Sequence, residues 1–289
     1  MDVEIFDERR CELGEGPISF GLRNESVAWV DITGQRVHFR NLHSGETSEW
    51  DVGEDVGFII PRKNGGFILG NRNGPTAIEP ALDFPSRPLD DLEPTRLNDA
   101  KVSPTGDLWF GSMSYAETPG TGALYRVTEN GDLTKILSDV TVSNGTAWSP
   151  DTSQMYYIDS PTRSVQIFDF DGKDISNRRT GFVFPDAFGY PDGMTIDAEG
   201  NLWVAFWMGS AVRAFNPNQN FEEIARIATP AKRTTSCAFA GDGLDQLIIT
   251  SAHKNDQSEP LEAGMTFVAQ PGVKGTPTQQ FTLNKYARP

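Results

Sequence analysis

The feature that most constrains this chain is a segment it repeats. From Gly189 to Trp207 the residues read Gly-Tyr-Pro-Asp-Gly-Met-Thr-Ile-Asp-Ala-Glu-Gly-Asn-Leu-Trp-Val-Ala-Phe-Trp: a carboxylate on a Gly turn, a short apolar strand, a tight polar turn and a second apolar strand. The runs from Val142 to Asp159 and from Arg96 to Gly111 share this layout, and weaker copies cover Leu13 to Asp31, Asp55 to Gly70 and Thr234 to Ser251. The middle residues of the second strands, Ala28, Ile68, Trp109, Tyr156, Trp203 and Ile248, stand 40, 41, 47, 47 and 45 residues apart. Units of this length stack or close on copies of themselves, and about four strands per unit is the content of a propeller blade. The expectation is an all-β, six-bladed β-propeller with four-stranded blades, one domain over residues 1–289. The alternating run Val3-Glu-Ile-Phe-Asp-Glu8 precedes the first repeat and is expected to complete the last blade, which removes a free sheet edge.

Composition excludes several partners. With 25 basic and 40 acidic residues the formal charge is −15, which repels phosphate backbones and anionic lipid, so neither nucleic acid nor membrane is expected as a partner. The N-terminus lacks the apolar region of a secretory signal and no run of 18 apolar residues occurs, so a cytoplasmic location is expected. Cys11 and Cys237 are too few for a disulfide scaffold or a Cys-based zinc site. The chain contains no Gly-x-Ser-x-Gly elbow, phosphate loop or His-Glu-x-x-His. His38, His43 and His253 are scattered, Trp29, Trp109, Trp148 and Trp203 recur as packing residues, and Thr76 to Thr95 reads as a long loop.

Counting back from each marker to the residue that opens the first strand gives Glu15, Val56, Asn98, Asn144, Asp192 and Thr235, at 11 to 13 residues. Gly follows in four cases, which suggests a sharp backbone turn. The first strand of a blade is innermost, so equal phase implies a ring around a central channel. Two carboxylates and two amides directed into one narrow space are costly unless paired, and a bound cation pairs them. Oxygen donors suit Ca²⁺ first, with Mg²⁺, Mn²⁺, Fe²⁺ or Zn²⁺ as alternatives. Glu15, Asn144 and Asp192 are the expected ligands, the competing reading being that each caps its own Gly turn. An open coordination position would serve ester or lactone hydrolysis, with Asp192 as general base. Arg96, two residues before Asn98, falls on the same side of an extended strand and suits the hydroxyls or carboxylate of a sugar acid, as does Glu117 in the following Gly-rich loop if it reaches that far.

Four motifs, Leu13-Gly-Glu-Gly-Pro17, Arg96-Leu-Asn-Asp-Ala-Lys101, Ser143-Asn-Gly145 with Tyr156-Tyr-Ile-Asp-Ser160, and Pro191-Asp-Gly-Met-Thr-Ile-Asp-Ala-Glu-Gly-Asn-Leu-Trp-Val204, resemble the signatures of the senescence marker protein/gluconolactonase family over almost the whole chain. The resemblance implies a six-bladed propeller with one divalent metal in the channel, acting on a small-molecule sugar lactone. It puts metal ligands at Glu15, Asn144 and Asp192, substrate contacts at Arg96 and Asn98, and the general base at Asp192. One departure concerns the substrate loop: ungapped counting places the glutamate of the family's vertebrate members at Ala116, one short of Glu117. A promiscuous or phosphotriesterase-like esterase, a non-catalytic calcium-binding protein and a protein-interaction propeller are the rival readings.

Overall fold

The hairpin at the start of each repeat follows from its turn chemistry. Between strands Tyr190–Ile196 and Leu202–Trp207, Asp197 Oδ1 accepts hydrogen bonds from the amides of Glu199 (3.0 Å) and Asn201 (2.8 Å), while Oδ2 accepts from the indole N–H of Trp203 (2.9 Å). Gly200 takes the left-handed conformation, φ +88°, that closes the turn. Flanking residues alternate Met194, Ile196, Leu202, Val204 and Phe206 into one apolar cluster, so the turn fixes the register and the cluster rewards it.

In the computed structural model, which describes residues 2–72, 74–78 and 95–283, these hairpins extend into consecutive antiparallel arrays. The first comprises Gly14–Phe20, Ser26–Asp31, Arg36–Asn41 and Thr47–Asp51; the second, Val56–Pro61, Phe67–Asn71 and Gly74–Ile78. The third comprises Thr95–Val102, Leu108–Ser114, Gly122–Val127 and Leu133–Val140, and the fourth Ser143–Trp148, Gln154–Asp159, Ser164–Phe170 and Ile175–Val183. The fifth continues from the hairpin above through Ala211–Asn216 and Glu222–Ala228, and a single pair, Trp207 with Arg233, joins it to a final array of Arg233–Ala240, Gln246–Ala252, Thr266–Ala269 and Glu4–Asp7. The N-terminal strand therefore pairs with the last strand of the chain, Ile5 opposite Phe267. Most of the loop expected from Thr76 to Thr95 lies outside the described residues. No helix among the described residues is long and apolar enough to cross a membrane.

Burial grades along each array. Opening strands such as Val56–Pro61 and Ser143–Trp148 are buried at every position, while closing strands such as Thr47–Asp51 are largely exposed. The opening strands pack against one another in chain order, and that of the last array returns to that of the first. Equivalent positions of different arrays thus face a shared axis.

This circuit is tight, and it corrects one expectation about glycine. Of the glycines that follow the ring positions, only Gly16 has a left-handed φ, +53°. A Cβ on Gly145 would stand 2.8 Å from the carbonyl oxygen of Asp192, one on Gly57 would collide with the backbone of Leu97, and one on Gly193 with Ser236. These three are glycine because the next opening strand lies against them, not because the chain turns. At the far end of the opening strands, residues 275–281 cross the axis: Gly275 bridges to Asp197 and Phe281 to Arg62. Phe281 and Leu283 end in the apolar cluster shared by the second and third arrays.

Because the obstacle at Gly57 is backbone, Gly57→Ala is expected to cost about 1–3 kcal/mol, a melting-temperature loss of several degrees. Scanning calorimetry reads it, and an unchanged midpoint would contradict the close approach.

Candidate active site

At the end of the axis where the opening strands begin lies a cavity of about 610 Å³. Its walls include Glu15, Arg96, Asn98, Glu117, Asn144 and Asp192, so the residues singled out by phase and the loop glutamate meet at one place. Glu15, Arg96, Asn98, Asn144 and Asp192 are each buried, between 5% and 8% exposed, whereas Glu117 is exposed on the rim. Val56 and Thr235 complete the ring without entering the chemistry. Val56 is core, and the hydroxyl of Thr235 donates to the carbonyl of Gly14 (2.5 Å), fastening the last array to the first.

A hydrogen-bonded chain sets the orientation of the polar groups. Arg96 donates to Asn98 Oδ1 (2.6 Å) and to the carbonyl of Leu97 (3.1 Å). Asn98 Nδ2 donates to Asn144 Oδ1 and to the carbonyl of Ser143, both at 2.8 Å. Asn144 Nδ2 donates to Ser160 Oγ (2.8 Å), whose hydroxyl donates to the carbonyl of Pro191 (2.6 Å), the residue before Asp192. Asn98 has therefore spent both donors on the protein and keeps one acceptor lone pair. Asn144, held at both ends, lines the cavity and keeps one lone pair of its amide oxygen beyond the bond from Asn98.

The carboxylates are not compensated in this way. Among the described residues Glu15 accepts only the adjacent amide of Gly16 (3.1 Å). Withdrawal from water, with the nearby charge of Asp99 adding to it, pushes its pKa up to about 8. Asp192 is raised well above the carboxylate range by burial first and then by Glu15 and Asp99. Asp99 is itself raised by burial, and its Oδ2 is buried without a hydrogen-bond partner. Two carboxylates with an oriented amide oxygen beside them form a hard-oxygen donor set whose chemistry fits a divalent cation.

Sequence reasoning overlooked Asp31, Asp159 and Asp99. Asp31 accepts from the amides of Glu12 and Leu13, both at 2.9 Å, and Asp159 from those of Thr141 (3.0 Å) and Val142 (2.8 Å). In both arrays the aspartate ending the second strand grips the residues two and three ahead of the ring position. The signal was available: Asp31 and Asp159 each stand three residues past the markers Ala28 and Tyr156. Asp99 sits inside the motif Arg96-Leu-Asn-Asp-Ala-Lys101, but strand alternation points it away from Asn98, and the irregular pairing between Phe110 and Ser112 breaks that alternation. Asp31 also belongs to a buried trio with Cys11 and His38. There its oxygens are taken by backbone amides, and burial raises the Cys11 thiol well above its ordinary value, the reverse of what a metal-bound thiolate needs.

Comparison with known proteins adds identity to this geometry. Residues 13–253 match the SMP-30/gluconolactonase/LRE-like region. The chain is 34% identical to regucalcin of Danio rerio over 98% of this chain and 99% of that one. It is 35% identical to a Bacillus subtilis protein named as a sugar lactone lactonase, YvrE, over 93% and 95%. Among solved structures it is similar to a calcium-binding protein, regucalcin, of Agrobacterium tumefaciens, with a TM-score of 0.90, 26% identity and coverage of 98% and 99%.

The raised carboxylates make a stability prediction with a definite sign. Without a cation, folded Glu15 titrates near 8 and the unfolded residue near its ordinary 4.5. The folded state therefore holds protons that the unfolded state has released, and stability present below about 4.5 is lost as pH rises through about 8. In chelator the melting temperature should fall between pH 5.5 and 8.5. Added divalent cation should raise it more at pH 8.5 than at pH 5.5, since protons no longer compete. Equal cation gains at both pH values would count against these carboxylates as the site.

Proposed function

Because this chain belongs to the SMP-30/gluconolactonase/LRE-like family, we propose that it is a metal-dependent sugar lactonase on a six-bladed β-propeller. The observation that carries the reading is the meeting of Glu15, Asn144 and Asp192 with Arg96 and Asn98 in one cavity. Glu15, Asn144 and Asp192 are the residues that would hold the ion, and the calcium-binding relative favours Ca²⁺. The ion, when bound, supplies Lewis-acid polarisation of the lactone carbonyl and the positive charge that keeps Glu15 and Asp192 ionised at neutral pH.

The chain's own residues then have separable tasks. Arg96, with only two neutral acceptors on the protein, directs its guanidinium at ring hydroxyls, and the free lone pair on Asn98 Oδ1 accepts from one of them. Tyr190 and Trp207 line the same cavity and offer ring faces to sugar C–H bonds. Tyr190 is held by the Arg163 guanidinium, 3.9 Å from the ring centroid. Asp192, once ionised, accepts the proton of the attacking water as the water oxygen bonds to the carbonyl carbon. The ring C–O bond then breaks, and that proton passes to the departing ring oxygen, leaving the open sugar acid. Glu117 on the rim takes substrate hydroxyls at the outer edge. The free, buried thiols of Cys11 and Cys237 accord with a reducing cytoplasm. Arg96, Asn98, Thr141 and Thr162 supply hydrogen-bonding groups for a hydroxylated ring among walls that also carry Leu13, Met113 and Val142.

A hydrolysis screen of five- and six-membered aldonolactones, with and without chelator, tests the reading. Chelator should abolish turnover, and Asp192→Ala should lower kcat by about 10²–10⁴-fold. Activity surviving both overturns the mechanism. Ser160→Ala frees both Asn144 Nδ2 and the Pro191 carbonyl. It should weaken cation affinity by about 10–100-fold in calorimetric titration and lower the melting temperature by several degrees with unfolding still cooperative; unchanged affinity would remove Asn144 from the ligand set.

A further inference from the structure

Resting on the lactonase reading, we infer that the cavity selects lactones bearing a second, anionic group, a carboxylate or phosphate on the arm away from the lactone carbonyl, and that Lys254 reads that charge. The argument is one of unmatched cations. Arg96, Lys254, Arg163 and Arg233 all approach the cavity, the last two by stacking on its aromatic walls, Tyr190 and Trp207. Arg163 is matched by Asp186 (3.5 Å), and Arg233 by Asp256 (3.0 Å) and Glu259 (2.6 Å). Arg96 and Lys254 form no salt bridge among the described residues; Glu15, Asp55 and Asp192 act on Arg96 only from beyond that distance. Arg96 is buried with amide and carbonyl oxygens as its only acceptors.

These two cations also feel each other. Lys254 is an exposed residue whose amine is partly sheltered at the cavity rim, and that amine is held below its ordinary value first by this partial withdrawal from water and next by Arg96. Glu12 and Glu117 act on Lys254 in the opposite direction, but neither reaches it within salt-bridge distance. With Glu15 and Asp192 opposite a divalent cation, Glu117 is the one carboxylate left on the cavity wall itself, while Asp55, Asp99 and Glu12 act from behind it. A neutral lactone leaves Arg96 and Lys254 with no charged group in contact; an oxyanion near both cations removes their repulsion and gains charge-assisted hydrogen bonds.

The backbone places Lys254 rather than leaving it to drift. Its amide donates to the carbonyl of Glu12 (3.0 Å), and the amide of His253 donates to that of Cys11 (3.4 Å). Lys254 and Asn255 both adopt left-handed φ, +50° and +54°, a conformation that side-chain-bearing residues enter at a cost. The loop after strand Gln246–Ala252 is thus tied to the segment that leads into Glu15.

Metal-loaded enzyme should be assayed on three lactones of one ring: neutral, carboxylate-bearing and phosphate-bearing. The wild type should favour one or both anionic forms by about tenfold in kcat/KM, near 1.4 kcal/mol, and rising salt should erode that preference. The better of the two anionic arms identifies the source of the charge. Lys254→Ala should raise KM for the anionic lactone by about tenfold while leaving the neutral one within about twofold. Lys254→Arg should keep the preference, and Lys254→Glu should reverse it. An enzyme that hydrolyses neutral lactone and shows no charge preference sensitive to Lys254 overturns this inference and leaves the lactonase reading standing. If no lactone is turned over, the lactonase reading falls, and calorimetry with a sugar dicarboxylate judges the subsite: weaker binding to Lys254→Ala upholds it, equal binding overturns it.

Discussion

Two like charges buried on one axis govern this structure. Glu15 and Asp192 lie far apart in the chain; burial raises the pKa of both, Asp99 adds to each, and Glu15 adds to Asp192. Nothing local holds them together. Their proximity depends on closing the circuit of opening strands, and the closure is achieved by contacts at the ring positions themselves. Thr235 bonds to Gly14, Asn98 to Ser143, and Ser160 to Pro191. Glycines admit neighbouring backbone where any side chain would collide. The ring positions therefore serve two ends, and a substitution there alters assembly as well as chemistry.

Much of this was legible because the repeat converts distance in sequence into distance in space. A carboxylate at Glu15 and one at Asp192 share no local context, but a common phase before the markers Val-Ala28-Trp and Leu-Trp203-Val brings them to one cavity. The turn residues of each hairpin, Asp197 and Gly200 among them, were equally readable because their geometry is set within four residues. What phase could not reveal were properties that exist only between arrays. Gly57, Gly145 and Gly193 look like turn glycines from the sequence and prove to be clearance for the next strand. Asn98 looks like a substrate contact and proves to have given both its donors to Ser143 and Asn144. Asp99 escaped notice for a related reason, since a strand irregularity breaks the alternation on which a two-residue period depends.

The same distinction separates what is constrained from what is free to vary. Residues on the axis are fixed by neighbours on both sides: Asn144 by Asn98 and Ser160, its approach segment by Asp159, and the approach to Glu15 by Asp31. A change at any of these leaves a buried polar atom unpaired, which costs about 1–3 kcal/mol per group. Lys254 and Glu117 carry no such burden, because they reach the cavity from connections between strands and are exposed at its rim. The donor set is thus bound to the fold, while the side chains to which we assign the choice of substrate are ones whose replacement the fold tolerates. Charge at the rim is the property that such replacements alter most directly, since one lysine exchanged for a glutamate changes the field at the cavity by two units without moving a strand.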